Sequence, residues 1–61
     1  MTFTPWPDGT YTGYDGVCMC IAIAITAQQA IALRGTGVVR YTQDGIPVAI
    51  LVERHLDNST R

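Results

Sequence analysis

Between Val17 and Thr26 large and small side chains alternate without a break. The odd positions are Val17, Met19, Ile21, Ile23 and Ile25; the even ones are Cys18, Cys20, Ala22, Ala24 and Thr26. A period of two places successive side chains on opposite faces of a β-strand and does not fit a helix. Both faces are nonpolar, so both are expected to be covered. The large face is expected to fill a core. The small face is expected to admit something close, such as a second sheet or a second copy of the chain.

The first sixteen residues have a different character. Pro5 and Pro7 flank Trp6, which forbids a regular helix and favours an extended path. Asp8-Gly9 and Asp15-Gly16 are turn signals. Four of the five aromatic residues, Phe3, Trp6, Tyr11 and Tyr14, lie here. An extended segment cannot bury four aromatics against itself. Residues 1–16 are therefore expected to form an extended aromatic and proline-containing arm. Phe3, Pro5, Trp6, Tyr11 and Tyr14 are its partner-binding candidates, with Trp6 as the anchor.

Beyond the first strand two patterns compete. Thr26 with Gln29 three positions on matches a capping box, and Gly35 would then end a two-turn helix. Against this, Ala30, Ile31, Ala32 and Leu33 resume the alternation, which favours a second strand. Gly35-Thr36-Gly37 reads as a bend, Val38–Thr42 as a strand and Gln43-Asp44-Gly45 as a tight turn. Ile46–Val52 reads as another strand, with Pro47 placing its start at a sheet edge. From Glu53 the chain is expected to leave the core. The expected whole is a small single-domain all-β protein. A sandwich-like or barrel-like sheet of about four strands spans residues 17–56, after the arm and before a polar tail at 57–61.

A chain of 61 residues buries only about 60% of the surface it exposes unfolded, so it is marginal alone. Oligomerisation, metals and disulfides are the usual remedies. Cys18 and Cys20 are the only cysteines. On one strand face their Cα atoms lie about 6.5–7 Å apart, at the limit for a disulfide. They are expected to be two small buried thiols. Cys18, Cys20 and His55 supply only three of the four ligands of a zinc site at no standard spacing, so no metal is expected.

Net charge is −1, there is no Lys, and 48% of residues are hydrophobic. A basic footprint for nucleic acid is missing, and nucleic acid is not an expected partner. The longest apolar run, Val17–Leu33, contains Gln28 and Gln29 and is short for a membrane span. The first basic residue is Arg34, so no secretory leader is expected. His55 sits among Glu53, Arg54 and Asp57 and reads as a surface histidine. Asp8, Asp15 and Asp44 each precede a glycine and read as turn formers. Gly35 and Gly37 are too few for a phosphate cradle. No catalytic or cofactor-binding constellation is expected, and the chain is not expected to be an enzyme. Arg34, Arg40 and Arg54 are left as candidates for a modest anion site.

From Tyr14 to Val48 the chain resembles the central β region of lambda-type phage head-decoration (capsid cement) proteins and related small capsid-stabilising proteins. The matching residues are Tyr14-Asp15-Gly16, Ile21–Thr26, Ala30–Leu33 and Gly37-Val38-Val39-Arg40-Tyr41. The resemblance implies a non-enzymatic virion protein whose partners are its own copies, a trimer being one option, and a major capsid protein. Residues 40–49 also resemble a strand–turn–strand segment of single-stranded DNA-binding OB-folds, and residues 44–52 the small hairpin of Phd-type antitoxins. A small nucleic-acid-associated protein is thus the alternative.

Overall fold

The computed structural model describes residues 1–55. The elements run β1 (Thr2–Pro5), β2 (Thr10–Tyr14), β3 (Cys18–Ala24), α1 (Ala27–Ala32), β4 (Val39–Tyr41) and β5 (Pro47–His55). The protein is all-β. Its five strands form one curled antiparallel sheet, a half-barrel, in the order β1-β2-β3-β5-β4.

The N-terminal segment is extended, as the prolines require, but it is not a separate arm. It forms a hairpin, β1–β2, whose second strand pairs along β3 from Thr10 opposite Ile23 to Tyr14 opposite Met19. Among the described residues there are thus five strands rather than about four, two of them from residues 1–16. The turn chemistry explains why. Asp8 Oδ1 accepts from the Thr10 amide and hydroxyl, and Gly9 takes a positive φ of 91°, which glycine adopts without a Cβ penalty. Pro5 closes β1 at its end, where the missing N–H is harmless.

Residues 27–32 are helical, so the expected strand at 30–33 is corrected. The capping box decides it: the Gln29 amide donates to Thr26 Oγ1 at 3.0 Å, and the Thr26 amide donates to Gln29 Oε1 at 2.9 Å. Topology demands a crossover as well. β3 and β4 both run antiparallel to β5, which lies between them. They are therefore parallel to each other, and the chain must pass over β5 to join them. The alternation at 30–33 is real, but only Ala30 is buried.

Two further corrections concern β5. Pro47 does not mark a sheet edge, because β5 is flanked by β3 and β4. Proline is tolerated here as the first residue of the strand, and its carbonyl accepts from the Ile25 amide at 3.0 Å. The chain does leave the core by Glu53, since residues 53–55 are exposed, but the strand does not end at Val52. Pairing continues to His55, which lies opposite Cys18. A bulge at Ile21/Ala22 leaves Leu51 as the extra residue of β5. The expected tail at 57–61, with Leu56, lies outside the described residues.

The core is the inner side of the curl: Phe3, Cys20, Ala22 and Val48, with Tyr11 and Ile50 packed beside it. This reverses the expected use of β3. The middle of its small face, Cys20 and Ala22, is buried, and its large face is the outer one. The curl supplies the reason, since the inside of a tightly curved sheet narrows and takes small residues. Phe3 fills what remains by lying over Gly13. A Cβ on Gly13 would come 2.6 Å from the Phe3 ring and 2.7 Å from the sulfurs of Cys20 and Met1. Gln43, just past the edge strand β4, draws in the opposite edge. Its side-chain amide donates to the Phe3 carbonyl at 2.9 Å, and its Oε1 accepts from the Phe3 amide at 3.1 Å. One side chain thus takes the place of a strand partner.

Candidate functional site

The outer face follows from the same register. Tyr14, Met19, Ile21, Ile23 and Val52 share it, because Tyr14 is opposite Met19 and Ile21 is opposite Val52. Ile21 remains 46% exposed and Val52 53%. Trp6 joins them across β2. Its indole N–H donates to Thr12 Oγ1 at 2.7 Å, and Thr12 is paired with Ile21. Trp6, Pro7, Asp8, Thr10, Thr12 and Ile21 line a shallow groove of about 420 Å³. A second depression, about 370 Å³, lies over Met19, Ile21, Val52 and Arg54. Ile21 borders both. The tryptophan is therefore held by its polar end while its ring stays open, the arrangement of an interface aromatic.

The five partner-binding candidates divide between the faces. Trp6 and Tyr14 stand on the outer face. Phe3 is in the core, and Tyr11 packs against it. Pro5 is opposite Tyr11 at the hairpin end and is exposed. Met19, Ile21, Ile23 and Val52 were not among the candidates, although the alternation at 17–26 singles out three of them. Their neighbours in the sheet decide which face is outer, and those neighbours come from distant parts of the chain.

The arginines do not form one anion site. Arg40 is opposite Val48 and Arg54 opposite Met19. That separation along β5 is roughly 20 Å at the strand rise. Arg40 turns onto the Gly37 and Val39 carbonyls at 2.8 and 3.1 Å. Arg34 instead borders a groove of about 550 Å³ with Leu33, Val39 and the exposed Tyr41.

At the far end of the sheet Cys18 and His55 meet. The thiol sulfur lies 3.0 Å from His55 Nδ1, as their register requires. Cys18 is only half-buried, so the expectation of two buried thiols holds for Cys20 alone. The Cys20 thiol donates to the Met1 thioether at 3.5 Å, and burial pushes its pKa up. Asp15 caps the adjoining turn. Its Oδ1 accepts from the Val17 amide at 2.9 Å and the Cys18 amide at 2.6 Å. These bonds hold its carboxyl below the ordinary 3.8, the Cys18 amide contributing most. Among the described residues no group of three or more His, Cys, Asp or Glu is placed to hold a metal ion, and no helix is long and apolar enough to cross a membrane. The chain matches no protein-family model, no curated protein and no solved structure.

Proposed function

We propose that this protein is a non-enzymatic assembly module that docks through the outer face of β2, β3 and β5. The observation that carries the reading is the apolar row Met19, Ile21, Ile23 and Val52, with the indole of Trp6 beside it. A contiguous exposed apolar face marks an interaction site. Its first occupant is a second copy of the chain. The inner core is four residues, small even for a chain of this length, and a second sheet stacked about 10 Å away would give the outer face the same burial. A twofold contact matches the face with itself. Within this class, the proposed setting is the decoration of a phage capsid shell, with a major capsid protein as the further partner and the virion as the location.

The test has two stages. Light scattering across a dilution series is expected to give an oligomer that dissociates on dilution. Co-sedimentation with lambda-type heads stripped of their decoration protein then examines the capsid role. A monomer at every concentration would remove the module reading, and an oligomer that ignores the heads would remove the capsid one.

A second reading rests on the Arg34 and Tyr41 groove, which offers a cation beside an exposed aromatic. With five strands in a curled sheet, it suits a small single-strand binder. Net charge of −1 weighs against it. Tight binding of a labelled oligonucleotide, lost in Tyr41→Ala, would favour it.

A further inference from the structure

We propose that Cys18 and His55 form a thiol-exchange site, which takes up a low-molecular-weight disulfide of the oxidised-glutathione class as a mixed disulfide on Cys18. The pairing is built into the fold. Cys18 opens β3 and His55 closes β5, and the two are direct partners in the ladder. A thiol and an imidazole at 3.0 Å have the spacing of a nucleophile and its base. The histidine is exposed and the cysteine half-buried, so a small reagent reaches the pair.

The surroundings select the reaction class. Acyl transfer needs amide donors for an oxyanion. The amides of Val17 and Cys18 are already committed to Asp15. Disulfide exchange forms no oxyanion and needs only a thiolate and access. The Cys18 proton passes to Nδ1 of His55, and the sulfur attacks one sulfur of the disulfide. The S–S bond of the reagent breaks as the new one forms. The departing thiolate takes the proton from the imidazolium. Cys18 is oxidised to the disulfide level, and one reagent sulfur is reduced to a thiol.

Cys20 does not complete a second step. It is buried, its thiol turns toward Met1, and a Cα separation of about 6.5–7 Å is at the limit for a disulfide. The adduct therefore stays, one per chain. Among the described residues, the charged groups on the elements around Cys18 include His55, its ladder partner, Glu53, opposite Cys20 on β5, Asp15 from the β2–β3 turn, and the Met1 amino group, which acts on Asp15. The carboxylates oppose the thiolate, and the His55 ring touches the sulfur.

The test is the pH–rate profile of mixed-disulfide formation on the full chain, using dithiobis-nitrobenzoate and then oxidised glutathione. The same chain in urea is the reference. One fast adduct is expected, which fragmentation mass spectrometry places on Cys18. Its pH midpoint is expected to fall at least about one unit below the ~8.5 of an ordinary thiol. The gain in rate at neutral pH is smaller, about threefold, because a less basic thiolate is a weaker nucleophile. His55→Gln should return the midpoint to the urea value, with circular dichroism unchanged since His55 is exposed. A native midpoint equal to the urea value would overturn the proposal, and so would labelling of Cys20 first. A profile that His55→Gln leaves unmoved would overturn it too. Reaction with the aromatic reagent but not with glutathione would overturn the stated ligand class.

Discussion

On β3, Cys20 and Ala22 turn into the curl and are almost fully buried, while Ile21 and Ile23 stand outside at 46% and 37% exposure. The smaller side chains are thus the ones removed from water. Hydrophobicity alone would choose the reverse. Curvature overrides it, because the inner space is already occupied by Phe3, Val48 and the flank of Tyr11. The comparison teaches that bulk on a strand shows which face needs room, and not which face is inside its own chain. The inner face specifies the half-barrel, and the outer face is left to act on other molecules.

The most direct way to break this division is Phe3→Ala. Phe3 is 2% exposed and fills the space over Gly13, so the change should cost about 3–5 kcal/mol, as for other buried aromatics. Urea unfolding followed by circular dichroism measures it. A loss below about 1 kcal/mol would mean that the inner face is not the core.

The outer face should respond in the opposite sense. Ile21→Ser and Trp6→Ala are expected to weaken self-association by at least about 2 kcal/mol, the level of an interface hot spot. The unfolding of the dilute monomer should shift by less than about 1 kcal/mol. Sedimentation across a concentration series, beside urea unfolding at the lowest concentration, separates the two. Unfolding of the Ile21→Ser monomer would place that side chain in the chain's own core and erase the comparison.

Much of the fold was legible in local chemistry. Alternation gives β3, Asp-Gly pairs give the turns, and Thr26 with Gln29 gives the helix start. Elsewhere local patterns compete, as alternation and capping do at 27–33, and a long-range demand settles the matter. That demand is the crossing of β5. The candidate site was half legible. Trp6 stood out by type. The role of Met19, Ile21 and Ile23 depends on which face Phe3 covers, and the Phe3–Gln43 contact joins residues 40 positions apart. The Cys18–His55 pair was hidden for the same reason, since it requires β5 to run three residues past Val52.

A narrower test of the inner face is Ala22→Leu. Ala22 is fully buried, and added methylenes in a filled core cost typically about 1–3 kcal/mol. Ala24→Leu, at an exposed position of the same parity, should cost less than Ala22→Leu. Equal losses at the two sites in urea unfolding would show that the curl does not tighten around Ala22.

The smallest effect belongs to the turn that joins the two strands. Asp15 accepts from the Val17 and Cys18 amides, and its folded pKa lies below the ordinary 3.8. A carboxyl whose pKa is depressed on folding contributes stability above its unfolded pKa and loses it as pH falls through the folded one. Wild-type stability is therefore expected to fall as pH drops below about 4, and Asp15→Asn should flatten part of that slope. Asp8 carries the same sign through its bonds to Thr10, so Asp8→Asn should remove a further part. Both carboxyls are fully exposed, and the changes should be the slightest of the series. Neither residue belongs to the apolar row of the outer face. Acid should thus lower the urea midpoint of the monomer and of the assembled protein alike, while the concentration at which copies dissociate stays fixed between pH 5 and 7. A dissociation midpoint that moves with Asp15→Asn in that range would tie the turn to the interface, and the two faces would no longer act separately.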